Sequence, residues 1–165
     1  MPGILAFDAA RVVGYAATQP GSVEPKLGAF VLRVGNVGED LGALYAAMRR
    51  LALDLVAVHQ PDAIWFEQPM LMGMRSAHTA QMLMGLGAII ECVAAETGIQ
   101  CFQGHVNTVR RYVIGRRLRS DPRSAKQIVL DYCHLRGWHP PDDNAADAAV
   151  LWVYAYACAR AREGS

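Results

Sequence analysis

The sequence predicts an α/β protein: a five-stranded mixed sheet, three antiparallel strands followed by two parallel ones, flanked by helices. Three observations carry this. Strand-length apolar runs open the chain in quick succession, with only tight connections between them. Two segments of helical periodicity then alternate with two further apolar runs. A helix-rich final third follows. Such an order predicts one mixed sheet covered by helices.

Ile4–Phe7 is a first apolar run ending at Asp8, and Val12–Thr18 a second strand. Turn residues fill Pro20–Pro25, and Leu27–Val34 reads as a third strand. Asn36–Asp40 is loop and cap. Leu44, Met48, Leu51 and Leu55 recur at helical spacing within Leu41–His59, which Pro61-Asp62 closes. Ala63–Phe66 is a buried strand delivering Glu67. After the loop Gln68–Ser76 comes a long helix, Ala77–Thr97, closed by Gly98. Ile99–Phe102 is the fifth strand, and a basic stretch begins at Thr108–Tyr112. Ser124–Arg136 and Asp143–Ala161 read as helices separated by a break at Gly137–Pro141. Each of the last two strands follows a helix and is expected to run parallel to the first.

The 165 residues suit a single domain spanning 1–165. With 53% hydrophobic and 19% charged residues, the composition excludes disorder and supplies a core. Cys92, Cys101, Cys133 and Cys158 are scattered without a CxxC pair, as are the five histidines. Free, mostly buried thiols in a reducing compartment are expected, and no structural zinc site. No leader pattern opens the chain, and no apolar run reaches the roughly 20 residues that span a bilayer. A soluble, cytoplasmic protein is expected.

The chemistry-bearing residues are carboxylates. Asp8 and Glu67 each end an apolar strand, and strands one and four are neighbours in the expected sheet. A carboxylate at that depth costs several kcal/mol if unpaired, a cost a metal ion relieves. Asp147 lies in Asp142-Asp143-Asn144-Ala145-Ala146-Asp147-Ala148 at the start of the last helix. Either 143/147 or 144/147 shares one helix face. Asp142, Asp143 or Asn144 can serve as N-cap, and acids in a first turn suit the helix dipole. That accounts poorly for Asp147, set among alanines. Oxygen ligands from two strands and a helix suit Mg²⁺ or Mn²⁺ rather than zinc. Two such ions about 4 Å apart can clamp both oxygens of a phosphodiester displacement. No His, Ser or Cys constellation offers a rival chemistry.

Taken in order, these stretches resemble the RuvC family of Holliday-junction resolvases, in its phage-like branch, within the RNase H-like superfamily. The matching residues are Ile4-Leu5-Ala6-Phe7-Asp8 with Gly14-Tyr15, Ile64-Trp65-Phe66-Glu67-Gln68-Pro69, and Gly87-Ala88-Ile89. Val109 to Gly115, Ala125-Lys126 and Asp143 to Ala148 complete the set. The resemblance implies an RNase H-like fold, a homodimer, and paired nicks across a four-way DNA junction. By position it makes Asp8, Glu67 and Asp147 metal-binding catalytic acids. The family commonly carries Asp-x-x-Asp on the last helix, a register that here places Asn144 opposite Asp147. Asp143 is taken as the fourth ligand, with Asn144 the alternative or a cap. The loop Ala9-Ala10-Arg11 looks shortened relative to the family, a departure that touches substrate approach.

Between residues 110 and 126 lie Arg110, Arg111, Arg116, Arg117, Arg119, Arg123 and Lys126, against Asp121 alone. A net charge of only +1 conceals this asymmetry, and the run is the expected footprint for DNA phosphates. A solvated surface is the plainer explanation, but the run is too one-signed to prefer it. Lys126 sits where the resemblance places a basic residue near the active site, able to stabilise charge on the phosphate. Met70, Leu71, Met72 and Met74 lie in the loop after Glu67 with Arg75. They either fill core space or, by resemblance, supply an apolar wedge at the junction centre. Met70 and Arg75 are expected DNA contacts.

Helix 77–97 is apolar nearly all round, through Met82, Leu83, Met84, Leu86, Ala88, Ile89 and Ile90. A monomer's surface helix shows one polar face, so a twofold homodimer through this helix is expected. Two other functions fit the same residues: a nuclease for other branched or RNA-containing nucleic acid, and a noncatalytic junction-binding protein. A sugar-kinase-type phosphotransferase would need two such domains.

Overall fold

A computed structural model describes residues 2–32, 40–69, 76–115 and 124–163. The described elements run β1 (Ile4–Asp8), β2 (Val12–Thr18), β3 (Pro25–Val31), α1 (Leu41–His59), β4 (Ala63–Glu67), α2 (Ala77–Thr97) and β5 (Gln100–Gly104). Three helices follow: α3 (Val106–Ile114), α4 (Ala125–Leu135) and α5 (Asp143–Glu163). The sheet order is β3-β2-β1-β4-β5. β1, β2 and β3 pair antiparallel, whereas β4 lies parallel to β1 and β5 parallel to β4. This is the expected five-stranded mixed sheet.

Strand alternation sorts the core into two layers. Leu5, Phe7, Val13, Ile64 and Phe66 point to the face covered by α1 and α2. Ile4, Ala6, Ala16, Ala63 and Trp65 point to the other, covered by α5 with α3 and α4 outside it. Successive strand side chains alternate faces. Asp8 therefore continues the Ile4–Ala6 side and Glu67 the Ala63–Trp65 side. Both carboxylates emerge beneath α5.

Several boundaries differ from expectation. β3 starts two residues early, at Pro25, and β5 runs on to Gly104. The start of the basic stretch is itself a helix, α3, which the charge pattern concealed. Only one cysteine, Cys133, is buried; Cys101 and Cys158 are partly exposed and Cys92 exposed. Cys92 sits on the outer side of α2, and Cys101 on the edge strand β5. The helix α2 buries Met82, Leu86, Ile90 and Val93 and presents Met84, Ala88, Cys92 and Ala95 outward. By length and composition α2 could cross a membrane, contrary to the sequence expectation, although one face packs in the core.

Candidate active site

The site is a row across the sheet with a helix laid over it. Asp8 pairs with Gly14 on one side of β1. On the other side, the register Phe7–Phe66 sets Asp8 beside Glu67, and Glu67 pairs with Gly104. The row thus reads Gly14, Asp8, Glu67, Gly104, with the two acids bracketed by residues lacking a side chain.

Helix α5 beds on both glycines. A Cβ on Gly14 would lie 2.1 Å from the backbone carbon and oxygen of Asn144, and one on Gly104 2.5 Å from Leu151 Cδ1. Asn144 and Leu151 are two turns apart, and Asp147 lies between them on the intervening turn. Three contacts hold the helix in this register. Asp142 caps it, its Oδ1 accepting from Ala145 N at 2.8 Å. Asn144 Nδ2 donates to Val12 O at 3.0 Å. Farther along, Trp152 Nε1 donates to Thr18 Oγ1 at 3.0 Å, a buried hydroxyl that also accepts from Ile4 N.

The electrostatics follow from this crowding. Burial, then the neighbouring charges of Glu67 and Asp147, push the Asp8 carboxyl well above the usual range. Burial, then Asp147, raises Glu67 to about 7. One guanidinium opposes both shifts: Arg110 of α3, whose Nη2 donates to Asp147 at 2.8 and 3.0 Å. The pair is well covered, with side chains 20% and 11% exposed. One turn earlier on α5, Asp143 pairs with Lys126 from the first turn of α4, in the open at 36% and 62% exposure. The Lys126 ammonium lowers the Asp143 pKa, and Asp143 in turn raises that of Lys126.

Of the expected site residues, Asp8, Glu67 and Asp147 come together. Asp143 and Lys126 stand at the rim, and the Asn144 amide is turned to the β2 backbone. Arg111 is exposed on α3. Arg110, read from sequence as part of a phosphate-facing patch, instead faces inward onto Asp147. Met70, Arg75, Arg116, Arg117, Arg119 and Arg123 lie outside the described residues, as do Leu71, Met72 and Met74. The inward role of Arg110 had a sequence signal. Val106, Val109, Arg110 and Val113 fall at the spacing of one helix face, and Val106 and Val109 are buried. The bedding glycines had a weaker one, since nothing in sequence pairs Gly14 with Gly104.

Three mutually repelling, all-oxygen carboxylates have the donor chemistry of a hard divalent cation site. Among the described residues, however, no three His, Cys, Asp or Glu side chains are grouped closely enough to hold an ion as they stand. Asp147 is engaged by Arg110 instead.

The architecture is that of an RNase H-like α/β protein with a RuvC-like fold. Thermus thermophilus RuvC superposes with a TM-score of 0.67 at 16% identity, over 90% of each chain. The same protein in complex with Holliday junction substrate gives 0.67 at 13%, over 92% of this chain and 90% of that one. The yeast mitochondrial Holliday junction resolvase Ydc2 gives 0.64 at 12%, over 90% of this chain and 75% of that one. No family model matches the sequence, and no curated protein aligns with it.

Proposed function

We propose that this chain is a metal-dependent endonuclease that cuts four-way DNA junctions by paired nicks. One observation carries the reading: Asp8, Glu67 and Asp147 converge under α5 on a fold shared with junction resolvases. Asp8, Glu67, Asp147 and Asp143 are the residues that would hold Mg²⁺ or Mn²⁺. When bound, such ions supply an activated water and stabilise the leaving oxygen of the phosphodiester. Lys126, at the rim, offsets charge on the scissile phosphate. Arg111 and the basic residues 116, 117, 119 and 123 bind the DNA backbone, with Arg75 and Met70 contacting the junction beyond Glu67.

Residues 1–165 act as one nuclease domain in a soluble, cytoplasmic protein. The outward stripe of Met84, Ala88, Cys92 and Ala95 on α2, with Met84 53% exposed, supports a homodimer through this helix. Two copies would then present two cutting sites to a twofold substrate.

A synthetic four-way junction in Mg²⁺ or Mn²⁺ tests the reading. Symmetric nicks are expected, with little cutting of linear duplex. Asp8→Asn should abolish nicking while leaving junction binding nearly intact. Preferred cutting of an RNA–DNA hybrid would reassign the substrate. The Arg110 contact on Asp147 favours a second reading, a junction-binding protein without cleavage; binding without nicks in either metal would establish it.

A further inference from the structure

We propose that Arg110 is a built-in counter-ion for the metal-free acid cluster, which a divalent cation must displace from Asp147 in order to bind. This inference rests on the metal-dependent reading above.

The geometry is that of an occupant. A single guanidinium nitrogen, Arg110 Nη2, donates to both oxygens of Asp147 at 2.8 and 3.0 Å, a charge-assisted contact shared between the two carboxylate oxygens. It lies close enough to Asp8 and Glu67 to oppose the raised pKa of each. One positive charge thus serves three acids at the position a cation would neutralise. Asp143 is paired with Lys126 at the rim, whose charge also reaches Asp8 and Asp147.

The contact is also incomplete. Arg110 Nε is buried with no hydrogen-bond partner among the described residues. A buried N–H left unmade carries a penalty, so the arrangement is not one in which the guanidinium is fully satisfied. What holds Arg110 in place is its charged contact with Asp147.

Displacement has a thermodynamic consequence. Metal and Arg110 compete for Asp147, so the measured metal affinity is the intrinsic affinity reduced by that competition. A freed guanidinium beside the acids can then meet a phosphate oxygen. Anything that draws Arg110 away raises metal affinity, and the metal raises affinity for that anion by the same factor.

Mn²⁺ titration of the DNA-free protein, read by the electron paramagnetic resonance of unbound Mn²⁺, tests this without any cleavage assay. Wild type is compared with Arg110→Gln and Arg110→Lys, each checked by circular dichroism. Arg110→Gln should bind Mn²⁺ about tenfold tighter or more, the scale of one lost charge-assisted contact. It should also melt at lower temperature without metal, with the gap closing at saturating Mn²⁺. Arg110→Lys, which keeps the charge but places it on a compact ammonium at the end of a different stem, should shift affinity in the same direction by less. It carries the test alone if Arg110→Gln does not fold without metal. Unchanged or weaker Mn²⁺ binding in a folded variant overturns the proposal and leaves the nuclease reading standing. No Mn²⁺ binding by any of the three proteins overturns both.

Discussion

Two acids one turn apart on the same helix meet very different surroundings. Asp147 lies over the sheet, gripped by Arg110, with its charge acting on Asp8 and Glu67. Asp143 sits at the rim, paired with Lys126 in largely solvated space. A covered pair acts through a lower effective dielectric and ties neighbours together, whereas an exposed pair is worth roughly 0–1 kcal/mol. Proximity in sequence therefore says little about which acid governs the site. The depth set by the bedding of α5 decides it.

Neutralising each acid in turn should separate the two surroundings by the largest margin. Asp147→Asn should cut junction nicking by more than about a hundredfold, since even outer partners of metal ligands carry roughly ten- to a hundredfold. Asp143→Asn should cost about tenfold on the same scale. Equal losses in single-turnover assays would show that depth does not rank them.

Raising the helix is the next largest effect. Gly14→Ala puts a methyl into the Asn144 backbone and should cost about 1–3 kcal/mol in urea unfolding, as overpacking does. Mn²⁺ binding should weaken with it, because Asp147 rides on the displaced helix. Full Mn²⁺ affinity in the destabilised variant would separate bedding from site geometry. Asn144→Ala removes only the tether to Val12 and should cost about 1 kcal/mol with Mn²⁺ affinity preserved. Lost affinity would instead make Asn144 a ligand.

The pH dependence discriminates the two surroundings in a single protein. Glu67 is raised to about 7 in the fold, so the folded state holds its proton over a range where the unfolded chain has released it. Stability of the metal-free protein should then fall as pH rises from the ordinary glutamate range to about 7. Asp8, also raised, acts in the same direction. Mn²⁺ should restore the melting temperature at the alkaline end and do little at the acid end. A melting temperature that climbs over this window would contradict the crowding of the three acids. Least affected should be Lys126→Ala, with stability changed by under about 1 kcal/mol and the salt dependence of junction binding reduced by roughly one phosphate contact.

Much of this was legible before any coordinates. Two apolar runs that each end in an acid put Asp8 and Glu67 on neighbouring strands, and the register sets them side by side. The limits of α1 and α2 followed from periodicity, with a cap at Asn36–Asp40 and Gly98 as stop, whereas Ser76, read only as the end of a loop, caps α2. What stayed hidden depended on depth rather than pattern. Counting charges between 110 and 126 merged Arg110 with its neighbours, although it belongs to the buried stripe of α3. That helix is short, and its cap residue His105 makes no side-chain bond to it, so the usual start signal is missing. Asp143 is preferred to Asn144 on charge, since pattern alone does not rank them: a one-residue shift in cap position turns the helix by about 100°. The contact of Asn144 with Val12 joins segments 132 residues apart, beyond any local rule.

The three central acids are drawn from positions 8, 67 and 147, so the site spans most of the chain. Synthesis delivers them in that order, with α5 the last described helix to leave the ribosome. Until it docks, Asp8 and Glu67 stand on an uncovered apolar sheet face without their third partner. A chain that stops short of Asp147 therefore lacks the third acid and the helix that covers the other two.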